Sequence, residues 1–194
     1  MLRYFIVYKP FHVLSQFSPG EGKKNLKDFF SVPRDVYPVG RLDYDSEGLL
    51  LLTNDKQLNY RLLNPRSHYE KEYWVQVEGV ITEAAVSRLQ AGVTIHVNGK
   101  VYQTKKCKAE LHLNPPEVPE RIPPIRFRKD KPTSWISVTL IEGKNRQVRK
   151  MTAAVGFPTL RLIRVRLGNL KFEGLSPGAI EELSAGEAYS KLFS

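Results

Sequence analysis

At 194 residues, with 41% hydrophobic and 26% charged side chains, the chain can bury a substantial core and has the make-up of an ordinary globular protein. Its 30 Lys and Arg against 20 Asp and Glu leave a formal net charge of +10, which points to a polyanionic partner, nucleic acid ahead of membrane surface; a surface-basic enzyme with a small substrate is the plainer alternative. No apolar stretch is long enough to span a bilayer, the N-terminus lacks a signal peptide's cleavage site, and a single cysteine excludes a disulfide framework or zinc cluster within the chain.

Residues 4–8 are aromatic and β-branched, a strand ended by Pro10, and residues 15–24 form a polar loop. Asn25 caps a short helix running to Phe30. Residues 40–55 then set a short acidic loop, entered through Gly40-Arg41-Leu42, against the run Leu49-Leu50-Leu51-Leu52. Four leucines bounded by turn residues read as a buried strand, and a carboxylate beside it is shielded from water, which is how a protein makes an acid useful. Asn54 or Asp55 caps a helix with Leu58 and Leu62 on one face, ending at Asn64-Pro65. Residues 71–78 alternate, Tyr73, Val75 and Val77 on one face and Trp74, Gln76 and Glu78 on the other. Thr82 caps a helix to Gln90, with Gly92 past its end, and Asn98-Gly99 joins residues 94–97 to 100–103 as a hairpin.

Residues 114–132 break the pattern: five prolines precede Arg126, Arg128, Lys129 and Lys131, making a long basic loop. Residues 135–141 return to strand. Gly143-Lys144 turns into a helix capped by Asn145, with Val148, Met151 and Val155 on its apolar stripe, closing at Gly156. Residues 160–167 form a strand, and Ser176-Pro177 opens the last helix. Strands dominate without βαβ regularity, so the fold class is α+β with a mostly antiparallel sheet.

Arg146, Arg149 and Lys150 stand at i, i+3 and i+4 and present a cationic helix face, suited to phosphates and to a carboxylate; a plain solvated face is the alternative. Taken by itself, Tyr73 reads as core beside Val75 and Val77. His12, His68, His96 and His112 are scattered without metal-ligand spacing, and Cys107 reads as a buried structural thiol. Arg161, Arg164 and Arg166 face RNA or water.

The Gly40-Arg41-Leu42-Asp43 segment with its leucine run resembles the catalytic-aspartate motif of the RsuA/RluB/RluE/RluF family of pseudouridine synthases, with Ser46 and Lys56 where that family usually has Thr and Gly. Asn145-Arg146-Gln147-Val148-Arg149, followed by Lys150 and Met151, resembles a second motif, and Lys71-Glu72-Tyr73 a third, with Glu72 where Thr is common. Lys9-Pro10 is similar to the family's opening motif, although Phe11-His12 stands where a glycine commonly follows. Residues 13–17 and 123–128 look most like the RluE subgroup, and the likeness runs from Lys9 to about Leu183.

That resemblance implies an α+β pseudouridine synthase catalytic fold: a single domain over residues 1–194, two lobes around a mixed, mainly antiparallel sheet with flanking helices and a central cleft. No separate N-terminal S4-like RNA-binding domain is expected. It makes Asp43 the nucleophile, Arg149 its salt-bridge partner, Tyr73 the ring that stacks on the base and Leu162 an apolar pocket wall. An arginine there keeps the carboxylate ionised against desolvation and grips it with planar geometry. The RNA path takes in Lys9, Arg41, Arg126, Arg128, Lys144, Arg146 and Lys150. The implied reaction isomerises a uridine of 23S large-subunit ribosomal RNA near the peptidyl-transferase region, with attack at sugar or base, or elimination, left open. It implies no cofactor, no metal and no membrane partner; the protein is expected to be a cytoplasmic monomer. A catalytically silent RNA-binding protein on the same scaffold is the alternative. A hydrolase releasing free uracil, with Asp45 or Glu47 as general acid, is another. In the first reading Asp45 and Glu47 shape the loop through backbone hydrogen bonds.

Overall fold

The computed structural model describes residues 1–125, 131–171 and 174–193. In chain order the strands are β1 (Tyr4–Lys9), β2 (Tyr37–Pro38), β3 (Glu47–Thr53), β4 (Lys71–Glu78), β5 (Thr94–Val97), β6 (Lys100–Gln103), β7 (Lys108–His112), β8 (Thr133–Leu140), β9 (Thr159–Leu167), β10 (Leu170–Lys171) and β11 (Ile180–Leu183). The helices are α1 (Lys56–Leu63), α2 (Glu83–Ala91), α3 (Gln147–Ala154) and α4 (Ala185–Phe193). The class is α+β, with mostly antiparallel pairing and a parallel β3–β9 pair, hence a mixed sheet. The chain divides into two compact units, one of Met1–Tyr69 with Ile163–Ser194, the other of Glu70–Leu162.

In the first unit β1 runs antiparallel between β11 and β3, from Tyr4 opposite Thr53 to Lys9 opposite Gly48. The leucine run is fully buried on both faces, which is why it reads as continuous rather than alternating. Leu49 and Leu51 join Tyr4 and Ile6 against Leu58 and Leu62 of α1 and Leu192 of α4. Burying each such side chain contributes roughly 1.5–3 kcal/mol. Asp55, not Asn54, caps α1: its Oδ1 accepts from the backbone N–H of Gln57 (2.9 Å) and Leu58 (3.0 Å). Its Oδ2 takes the hydroxyls of Tyr4 and Tyr189, both at 2.9 Å, so one carboxylate joins three elements. Gly48 has φ +103, and a Cβ there would stand 2.3 Å from the Arg164 carbonyl oxygen. Glycine thus admits the close parallel approach of β3 to β9.

In the second unit β8 lies between β4 and β7, pairing with β4 from Lys71 opposite Leu140 to Glu78 opposite Thr133. Val75, Val77, Ile136 and Val138 pack with Ala85, Val86 and Leu89 of α2 and Val148 and Met151 of α3. Thr82 caps α2 through its side chain, and the Asn98-Gly99 hairpin forms in the expected register.

Two expectations are corrected. Helix α3 begins at Gln147, because Arg146 adopts φ +52 and no side chain caps the end; Asn145 is not the cap. Gln147 itself closes the turn, its Oε1 accepting from Lys144 N at 2.9 Å. The last helix opens after Ser184, where Ser184 and Glu187 form a reciprocal cap, rather than at Ser176-Pro177. Between them lies β11, whose exposed Glu181 and Glu182 hide an edge strand recruited by register with β1.

Candidate active site

Asp43 sits half-buried in the loop that enters β3. Its carbonyl accepts the Ser46 N–H at 3.0 Å, closing a turn with Tyr44 and Asp45 at the tip. On the other side, the Ser15 hydroxyl donates to the Leu42 carbonyl (2.8 Å) and accepts from the Leu42 N–H (3.0 Å). One buried side chain thereby fixes both backbone groups of the residue preceding Asp43.

Beneath the loop lies a charged interior. Lys9 is fully buried, and its ammonium donates to the carbonyls of Pro10 (2.9 Å) and Val13 (2.7 Å). Burial pushes that ammonium down to about 7, against the pull of Glu47, Asp45 and Asp43. Glu47 is buried too and accepts the Tyr8 hydroxyl at 3.5 Å, so its carboxylate is held by a side chain as well as by its place in the strand. Arg164, also buried, donates from Nε to the Leu49 carbonyl at 2.8 Å. The expectation that Lys9 meets RNA is therefore corrected: its charge is spent on interior carbonyls, not offered to a phosphate. Arg161 and Arg164 likewise face neither RNA nor water, because both are buried and bonded to carbonyls, Arg161 to that of Pro119 at 2.7 Å.

In the second unit Tyr73 stands opposite Val138 on β4, half-buried against the apolar core. Arg149 projects from α3, with Nη1 at 3.4 Å from the Thr159 carbonyl, and a hydroxyl bond of 2.7 Å between Thr152 and Thr159 ties that helix to β9. Leu162 lies in the core with Val148, Met151 and Val155. The turn before α3 is organised by Glu142, which no motif had singled out. It accepts the Tyr102 hydroxyl (2.5 Å), the Lys105 N–H (3.0 Å) and the Gln147 amide. The bond to Glu142, ahead of burial, pushes the Tyr102 hydroxyl up to about 12. Lys144 lies with its ammonium 4.9 Å over the Tyr102 ring. A buried carboxylate-binding glutamine and a carboxylate are common residues, and only their convergence in space reveals the hub.

Arg41, Lys144 and Arg146 are exposed, and Lys150 is half-buried with its ammonium on the Asn145 carbonyl at 2.8 Å. Arg126 and Arg128 lie outside the described residues. Cys107 donates its thiol to the Leu89 carbonyl at 3.1 Å, and burial pushes it up to about 11, which leaves it a poor nucleophile.

A half-buried acid in a fixed turn thus stands on a mixed α+β frame in a chain of net positive charge. Residues 3–154 match the family model of RNA pseudouridylate synthases, and the chain belongs to that family of isomerases. Among its relatives is ribosomal large subunit pseudouridine synthase E of Vibrio vulnificus, 49% identical over 92% of this chain and 74% of that protein. The protein of the same name from Xanthomonas axonopodis pv. citri is 44% identical over 89% of each. A crystal structure of a pseudouridylate synthase superposes with a TM-score of 0.78 at 26% identity, covering 98% of this chain and 74% of that one.

Proposed function

We propose that this protein converts a uridine of 23S large-subunit ribosomal RNA to pseudouridine, with Asp43 as the nucleophile. The observation that carries the assignment is the Asp43 turn, pinned on one side by Ser15 and on the other by the Ser46 N–H. Catalysis by a positioned carboxylate needs its backbone fixed before substrate arrives. The names of the relatives in Vibrio and Xanthomonas support large-subunit RNA as the substrate.

In this reading the bond from C1′ to N1 breaks, the uracil turns, C5 bonds to C1′ and gives up its proton, and N1 takes up a proton. Atoms are conserved and no electrons are exchanged with a partner. Tyr73 offers a flat ring to the base, Arg149 supplies the counter-charge for Asp43, and Leu162 contributes apolar wall. Arg41, Lys144, Arg146 and Lys150 bind phosphates, joined by Arg126 and Arg128. The protein acts as a cytoplasmic monomer of one bilobal catalytic domain; among the described residues no helix is long and apolar enough to cross a membrane.

The test is tritium release from ribosomal RNA carrying 5-tritiated uridine, with the intact chain and Asp43→Asn compared on free RNA and on ribosomal particles. Release by the intact chain alone supports the reading. No release by either on both substrates refutes it and leaves an RNA-binding protein without chemistry.

A further inference from the structure

Beside the acid loop three rings form a ladder. Phe11 and His12 stack with centroids 3.8 Å apart, and His12 and Tyr44 with centroids 4.8 Å apart and planes only 8° from parallel. His12 holds its ring there from a left-handed φ of +56, which costs a non-glycine residue free energy. The residue is exposed, so burying an apolar surface does not explain the strain. The ammonium of the exposed Lys23 also lies over the Tyr44 ring, 5.3 Å from its centroid. The next residue, Lys24, sits 5.7 Å over Phe29. Two consecutive lysines of the first unit thus each cover an aromatic ring, one of them that of the residue after Asp43.

We propose that the Lys23-covered face of Tyr44 is a stacking site for an unpaired RNA base next to the target uridine, with Lys23 moving from the ring to that nucleotide's phosphate. The placement beside the target rests on the assignment of Asp43 as nucleophile. An exposed lysine over a ring is worth only a factor of about 2–5 in an equilibrium. A base stacked on an aromatic ring is worth roughly 5- to 150-fold in affinity, so the base displaces the ammonium. The displaced cation is then next to a backbone phosphate, where it releases a counterion instead of facing water. Every base has a π face, so the site tolerates any sequence; what it selects is a nucleotide that is not paired. Pre-stacking on His12 fixes the Tyr44 ring before RNA arrives, which lowers the ordering cost of binding.

The experiment uses the full chain and two short single-stranded oligoribonucleotides, each with one uridine and with 2-aminopurine immediately before or after it. Binding should quench the probe in one of the two. Tyr44→Ala should remove the quench and weaken binding by roughly 5- to 150-fold, while Tyr44→Phe keeps both. Tyr44→Leu, which keeps bulk but has no π face, should behave as the alanine variant, so a folding defect of that variant does not decide the matter. Lys23→Ala should keep the quench and flatten the salt dependence by about one unit. Unchanged quench and affinity in Tyr44→Leu overturn the site, as does equal loss in Tyr44→Phe, which would indicate the hydroxyl. Asp43→Asn should retain the quench. A quench with no tritium release by the intact chain refutes the assigned chemistry and supports the stacking site; release without a Tyr44-dependent quench does the reverse.

Discussion

Replacing Gly48 by alanine tests whether the parallel β3–β9 pair carries the acid loop. The added Cβ would meet the Arg164 carbonyl oxygen at 2.3 Å and its nitrogen at 2.8 Å, whereas ordinary contact begins at 3.4 Å. Both neighbours are backbone, so no side chain can swing away, and one strand must retreat by about 1 Å. The φ of +103 adds strain of about 1–3 kcal/mol for a residue with a Cβ. Weakening one or two ladder hydrogen bonds adds about 1 kcal/mol each. The expected loss is roughly 4 kcal/mol, or about 8–16 °C in Tm for a chain of this size. Gly99→Ala is the control: its φ is +76 but nothing lies within 4 Å of the added Cβ. It should cost about 1 kcal/mol and about 2–4 °C, the φ term alone. Thermal unfolding followed by circular dichroism reads both. Equal losses in the two variants would show that the wall at Arg164 is not felt and refute the steric argument.

Asp55→Ala removes a helix cap and strands the hydroxyls of Tyr4 and Tyr189, so stability should fall by about 3 kcal/mol in urea titration; a loss within ~0.5 kcal/mol would deny the three-way junction. Burial alone would raise the Asp55 carboxyl, but its combined hydrogen bonds hold it below the ordinary carboxylate range. Its stabilisation is therefore present above the unfolded value near 3.8 and disappears as the pH falls toward the lower folded value. Lys9 has the same sign of dependence in a higher pH window. Its folded value of about 7 lies under the unfolded 10.5, so the unfolded chain binds more protons between them and stability rises with pH across that window. Lys9→Met should lose this rise, and parallel denaturation midpoints for the two proteins from pH 7 to 10 would contradict it. Lys144→Ala should lower the salt slope of ribosomal RNA binding by about one unit, measured by filter binding, and an unchanged slope removes Lys144 from the phosphate path.

What the sequence disclosed depends on the range of the interaction. The caps at Asn25 and Thr82, the hairpin at Asn98-Gly99 and strand β4 are local, and spacing alone reveals them. Strand β11 exists because β1 offers it a register, and its own residues, half of them glutamate and all but Leu183 exposed, carry no signal. The start of α3 failed for a related reason, since a glutamine closing the turn from inside does the work expected of Asn145. At the candidate site the loop holding Asp43 was legible, but its supports were not. A serine far along the chain, a left-handed histidine and a buried lysine look like ordinary loop residues until the fold gathers them.

Those supports explain why a costly charged interior sits under the loop. Burying Lys9, Glu47 and Arg164 costs several kcal/mol per ion unless each is hydrogen-bonded, and apolar side chains would fill the space more cheaply. Apolar side chains would not, however, hold carbonyls. Lys9 draws the Pro10 and Val13 carbonyls onto one ammonium and so curls the segment between them. That curl brings His12 against Tyr44 and is followed directly by Ser15 against Leu42, gripping the residues on either side of Asp43. The interior charge thus sets the backbone of the acid loop from beneath. Lys9→Met should then impair turnover more than RNA affinity, whereas a lysine serving phosphates would show the reverse.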